Sequence, residues 1–352
     1  MEFGVLHEFH WLPDATESEA FARSFEQVDA AERWGLDVIW LAELHFTLGY
    51  SVLSAPLVVG AAIAARTRRI KIGTAVQVLP LGHPLRLAEE AATLDHISNG
   101  RLIFGVGRSS FPHIYKAYGI PYAESQERFL ETLEIMKRAW TGQGLAYEGK
   151  YYSFAHPPKL TLVPKPLQKP YPPLRVAITS IDSYAAMGRL GYPIFLALRY
   201  NTVAELASLI RSYREAYRSA GHPGQGEVYL RVPVYVADTC QQACDEAEES
   251  FMHLLRMVGE RFGDSAKRSG AREIEQRADV GNRLQTITYE EALREKLVVG
   301  TPAMVIDRLR ALADELTLDG VAAELNSGSL IPHERVMKAL RLFCDEVMPR
   351  FK

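Results

Sequence analysis

The sequence predicts an α/β protein, a (β/α)8 barrel with insertions after strands four and seven, and three observations lead there. Strand-like apolar runs begin near Phe3, Leu36, Arg69 and Leu102, each 33 residues beyond the last. Helix-periodic segments fill the gaps, and strands alternating with helices at this interval indicate βαβ units feeding a parallel sheet. Further along, the strand candidates at 174–179, 194–198, 228–236 and 320–324 bring the number to eight. Eight units of about 31 residues are what a barrel of this kind requires.

The first helix pattern, over 18–34, carries Phe21, Phe25, Val28 and Ala31 on one apolar stripe. Two more follow at 55–66 and 84–97, and a fourth at 124–140. After it the spacing breaks: 147–152 reads as a hairpin, and the proline-rich stretch 157–173 reads as a covering loop, because proline removes backbone donors. The insertions are placed at roughly 145–172 and 259–297, within one domain spanning 1–352. The stretch 259–288 is rich in Arg, Glu, Gly and Ser, and reads as a solvated excursion or a lid over the barrel mouth. Gly300-Thr301-Pro302 opens a further helix, with Thr301 as cap and Pro302 in the first turn.

Composition narrows the partners. The 352 residues carry a net charge of −3 without a long basic run, which argues against nucleic acid and anionic membranes. No apolar stretch approaches the roughly 20 residues needed to span a bilayer, and the first residues run straight into a strand pattern. Three sparse cysteines, Cys240, Cys244 and Cys344, make no disulfide framework and fit a reducing cytoplasm.

Several motifs fail on inspection. Gly105-Val106-Gly107 lacks the third glycine of a dinucleotide fingerprint, and Pro112 interrupts the helix that should follow. His7-Glu8-Phe9-His10 has the wrong spacing for a zinc protease, and no metal site is expected. There is neither a nucleophile elbow nor a P-loop.

In a barrel, chemistry gathers at the carboxyl ends of the strands. Those ends offer His7, Glu8 and His10, then Glu43 and His45, then Ala75, Val76, Arg108, Thr179 and Ser180, and finally Arg199. His45 either handles a proton or is held structurally by Glu43 or a backbone carbonyl. Arg108 offers forked donors to a phosphate, or forms a surface ion pair. Thr179, Ser180 and Ser183 open a helix whose amides and hydroxyls would suit an anion, or simply cap it. Phe111, Tyr115 and Tyr118 either wall a substrate pocket or pack their loop.

Three segments taken in order, AERWGLDVIWLAELHF at 31–46, IGTAVQVLP at 72–80 and LDHISNGRLIFGVGR at 94–108, resemble the bacterial luciferase-like flavin monooxygenases. GTP at 300–302 and VMP at 347–349 extend the match to the far end of the chain. The resemblance implies a dissociable FMN delivered reduced by a separate NAD(P)H:flavin reductase. It also implies oxygenation of a small organic substrate through a C4a-peroxyflavin, and a homodimer. It places the phosphate on Arg108, Thr179, Ser180 and Ser183, and a non-proline cis peptide under the flavin at Ala75–Val76. Catalytic roles fall to His45, Glu43 and His7, and the substrate pocket to Glu8, His10, Phe111, Tyr115 and Arg199. Where luciferase has two adjacent histidines, this chain has Leu44 and His45, so the match does not carry light emission. Two alternatives share the barrel: a deazaflavin (F420)-dependent dehydrogenase and a non-catalytic flavin-binding subunit.

Overall fold

In the computed structural model, which describes residues 1–154, 161–266 and 274–352, eight parallel strands close on themselves. They are β1 (Glu2–His7), β2 (Val38–Leu41), β3 (Lys71–Thr74), β4 (Leu102–Gly107), β5 (Leu174–Ala177), β6 (Ile194–Ala197), β7 (Val228–Val236) and β8 (Gly320–Glu324). Each pairs with its neighbour in sequence. Closure comes from β8 on β1, with Glu2 opposite Gly320 and Val5 opposite Ala323. The expected (β/α)8 barrel is the observed architecture.

The helices that cover it are α1 (Glu17–Arg33), α2 (Pro56–Arg66), α3 (Pro84–Ile97), α4 (Ser125–Thr141), α5 (Ile181–Leu190), α6 (Val203–Ser219), α7 (Cys240–Ala266), α8 (Ile274–Thr286), α9 (Pro302–Leu316) and α10 (His333–Leu342). Several begin as local chemistry dictates. Thr16 and Glu19 exchange hydrogen bonds in a capping box on α1, and Thr202 and Glu205 do the same on α6. Thr301 caps α9 with Pro302 in its first turn, as the motif predicts.

Strand alternation makes two cores. Outward residues such as Phe3, Val5, Ile39 and Ile72 pack under the helices. Inward ones, among them Leu6, Trp40, Ile103, Phe195 and Tyr229, fill the barrel itself. At its amino-terminal end the Arg175 guanidinium lies 3.4 Å from the Tyr229 ring centre and 4.8 Å from that of Trp40, and its Nη1 donates to Glu2 Oε1 at 2.8 Å. This plug closes one mouth and leaves the carboxyl ends of the strands to form a cavity.

The barrel wall is tight where β4 crosses the end of β3. A Cβ on Gly105 would stand 1.8 Å from the Thr74 carbonyl oxygen, backbone that cannot yield. Gly105→Ala is expected to cost about 3 kcal/mol, read as a lower denaturant midpoint at unchanged m-value.

Two expectations need adjustment. The hairpin is observed, with Tyr147–Glu148 antiparallel to Ser153–Phe154. The proline-rich stretch is described only from 161 onward, so its first residues lie outside the described part. The stretch 259–288 is not an irregular excursion in its described portion: α7 runs on to Ala266, and α8 folds back against it. Its apolar residues are few but spaced to bury together, Phe262, Val280 and Leu284 joining Val258, which stands just before the stretch, in the core. Low hydrophobic content concealed a real stripe. Residues 267–273 of the predicted lid lie outside the described part.

Candidate active site

A cavity of about 1040 Å³ opens at the carboxyl ends of the strands. Glu8 after β1, Glu43 and Leu44 after β2, and Arg108 and Phe111 after β4 line it, with Thr179 after β5 and Tyr200 after β6. One wall is the peptide Ala75–Val76, which is cis although neither residue is proline. Opposite sits Gly107, where a Cβ would come within 2.6 Å of Val76 Cγ2, so a side chain there would crowd the space over that wall. Leu44, Ile178, Phe195 and Leu196 make much of the remaining lining apolar.

The cavity continues into a second recess, since Arg108, Tyr122, Ser183 and Arg277 line both. That recess, about 840 Å³, gathers Arg108, Arg189 and Arg277 with Ser180 and Ser183. Ser180 is the N-cap of α5, and its hydroxyl lies 2.6 Å from that of Ser183. Arg108 Nη1 donates to Ser125 Oγ at 3.3 Å, and Arg277 donates to Ser265 Oγ and Tyr122 OH at 3.0 Å each. Among the described residues the lining sets three guanidinium groups and a helix amino terminus against the carboxylate of Asp182, a set that suits a dianion such as a terminal phosphate. A planar apolar group over Ala75–Val76 with its phosphate in this recess fits the donors present, so the residues suit FMN.

Glu43 is the ionisable centre of the β2 end. Its Oε2 accepts from Gln77 Nε2 at 2.5 Å and from the Val78 amide at 2.7 Å, while Oε1 faces His45 Nε2 at 2.9 Å. Burial raises its carboxyl above the ordinary range, against the pull of those donors. His45 sits behind Glu43 and reaches Tyr118 through Nδ1 at 3.2 Å.

Beneath the cavity lies a buried charge network. Glu324 accepts from Arg231 Nε at 2.7 Å, from Ser327 Oγ at 2.8 Å, and from Arg199 Nη2. Arg231 Nη2 also donates to Glu8 Oε1 at 2.8 Å, and Tyr50 OH donates to Glu8 Oε2 at 2.6 Å. Burial would raise the Glu324 carboxyl, but Arg199 and Arg231 hold it down at about 2.

The structure does not bring all the expected residues together. His7 faces outward to α1, with Nε2 2.9 Å from Gln27 Oε1 and Nδ1 accepting from the Phe9 amide. Burial, then the nearby His10, pushes its imidazole down to about 3, so it is neutral near pH 7 and away from the cavity. The reason is alternation: Leu6 and Glu8 point inward, and His7 between them cannot. His10 pairs with Ser329 Oγ at 2.7 Å and also lies outside the cavity. Tyr115 is fully buried, packs on Tyr122 and donates to the Arg108 carbonyl, supporting the cationic recess instead of walling a pocket. Arg199 is committed to Glu324 and borders a different cavity beside Lys296. Arg231 and Arg277 were missed. A lone charge amid the apolar run Val228–Val236 was a legible sign of Arg231; nothing local marks Arg277.

Among the described residues, no cluster of three or more His, Cys, Asp or Glu side chains is placed to hold a metal, and no helix is long and apolar enough to cross a membrane.

A family model described as luciferase-like monooxygenase matches residues 1–319. The chain belongs to this family. The oxygenase component of the flavin-dependent trigonelline monooxygenase of Acinetobacter baylyi is 28% identical, over 100% of this chain and 96% of its own. In fold, the chain superposes on the oxygenating constituent of 3,6-diketocamphane monooxygenase of Pseudomonas putida, solved with FMN. That match has a TM-score of 0.81, 21% identity and 99% of each chain covered. An F420-dependent secondary alcohol dehydrogenase shares the barrel too, at a TM-score of 0.76, 16% identity, and coverage of 100% of this chain and 99% of that one.

Proposed function

We propose that this luciferase-like monooxygenase is the oxygenase component of a two-component system, taking FMN in its reduced, dissociable form from a separate NAD(P)H:flavin reductase and oxygenating a small organic substrate. The observation that carries this is one continuous cleft, apolar over Ala75–Val76 and cationic at Arg108, Arg277 and Arg189. The A. baylyi relative, itself an oxygenase component, supports the need for a reductase. Bound reduced FMN would supply two electrons to molecular oxygen, one oxygen atom passing to the substrate and the other leaving as water.

The chain's own part is to bind, orient and exclude. Arg108, Ser180 and Ser183 hold the phosphate and so fix how deep the ring system sits. Leu44, Phe111, Ile178 and Phe195 keep water from the reacting face. Glu43, whose carboxyl burial raises, stands at the cavity edge as the group placed to exchange a proton. In this reading the enzyme works in the reducing cytoplasm as a homodimer formed by helices of the first barrel half; light scattering of the purified protein tests the dimer.

The deciding experiment is to mix the protein, loaded anaerobically with reduced FMN, against oxygenated buffer while following flavin absorbance. Reoxidation should be markedly slower than that of free reduced FMN. Reoxidation at the free rate overturns the proposal. Tight binding of reduced F420, without oxygen uptake, would establish the dehydrogenase reading instead.

A further inference from the structure

A cavity that excludes water still has to receive a proton, and the monooxygenase reading, on which this inference rests, fixes how many. Oxygen, substrate, two electrons and two protons give oxygenated substrate and water. Reduced FMN taken up with its ring as the monoanion would bring two electrons and one proton, the case this inference treats. The second proton must come from solvent in every turnover.

Among the described residues, a hydrogen-bonded chain of side chains runs from the surface to the cavity edge at the β2 end. Tyr118, 44% exposed, lies at its outer end. Its hydroxyl is 3.2 Å from His45 Nδ1, and His45 Nε2 is 2.9 Å from Glu43 Oε1. Glu43 lines the cavity. Its Oε2 is occupied by the Gln77 and Val78 donors, which leaves Oε1 as the oxygen that exchanges a proton. Tyr115, the other phenol near Glu43, is tied to the Arg108 carbonyl and opens no branch. The two contacts allow the tautomer in which His45 accepts from Tyr118 at Nδ1 and donates to Glu43 from Nε2, and the relay uses that one.

We propose that Tyr118, His45 and Glu43 form a proton relay from solvent to the active-site cavity, with Tyr118 its solvent-side member. When Glu43 releases its proton into the cavity, His45 passes the Nε2 proton to Oε1. Tyr118 gives its hydroxyl proton to Nδ1 and takes one from water. No net charge is left behind, and rotation of the imidazole restores its starting tautomer. Burial raises the Glu43 carboxyl from its ordinary value, which favours its protonated form.

Tyr118→Phe removes one oxygen from a half-exposed ring that still packs against His45 and Phe46. Thermal stability and FMN affinity should match the wild type. Turnover should fall roughly 100-fold, the low end for general acid–base groups, with a larger solvent deuterium isotope effect. His45→Gln keeps a donor for Glu43 but cannot pass a proton through; the same loss is expected, whereas a merely structural histidine would be rescued. In the cofactor-free protein, 15N NMR of the His45 ring should show its Nδ1 signal shifting in Tyr118→Phe. Wild-type turnover and isotope effect in Tyr118→Phe, full turnover in His45→Gln, or an unmoved Nδ1 signal would each overturn the relay. Failure of the monooxygenase reading would show separately, as wild-type protein that reoxidises reduced FMN at the free rate.

Discussion

Glu324→Gln is expected to destabilise the protein by about 3–5 kcal/mol, because it leaves two buried guanidinium groups without their shared counter-charge. Arg199 and Glu324 are each only 3% exposed at the side chain, and among the described residues Arg231 has Glu8 as its one other carboxylate partner. Glutamine keeps the shape and can still accept, so the loss reports charge rather than volume. Equilibrium denaturation at pH 7 measures it. The same carboxylate predicts an acid limb. Its value in the folded state is depressed, from 4.5 to about 2. Its contribution is therefore full above pH 4.5 and drains away as the pH falls towards 2. The glutamine variant should lose that part of the acid dependence, and equal slopes for both proteins in this window would show that the network is not held by Glu324.

Arg108→Ala should weaken FMN binding by about 1.5–3 kcal/mol, roughly 10- to 150-fold, by removing one charge-assisted contact. Riboflavin, which has the same ring system without the phosphate, should bind both proteins alike. Arg277→Ala should move FMN affinity in the same direction, since its guanidinium borders the same recess from α8. Fluorescence titration with the two ligands separates a phosphate effect from a disturbed ring pocket. Unchanged FMN affinity in both variants would place the phosphate elsewhere.

Much of the barrel could be read in advance because its signals are local. The 33-residue step, the stripe on α1 and the cap at Thr301 depend on short stretches of sequence. So does the rule that strand ends carry chemistry, which put Glu43, Arg108, Thr179 and Ser183 on a list that the cavity lining contains. The errors share one cause. His7, His10, Tyr115 and Arg199 also stand at or beyond strand ends, but strand alternation turns His7 to α1, Tyr115 bonds the nearby Arg108 carbonyl, and His10 and Arg199 pair with residues distant in sequence. For Arg277 the signal was absent altogether, because it reaches the recess only through the packing of α8 on α7.

The sequence by itself determined the eight strands, their order and the rim on which function would sit. Backbone periodicity and capping are short-range, and a parallel barrel has few ways to connect them. Only the tertiary structure decided which polar groups share the cavity. Burying a carboxylate or a guanidinium requires a partner, and the arginine–carboxylate pairs that claimed Glu8, Arg199 and Glu324 join residues 93, 125 and 223 positions apart. Glu43 kept its place at the cavity because its donors, His45, Gln77 and Val78, hold it there from behind.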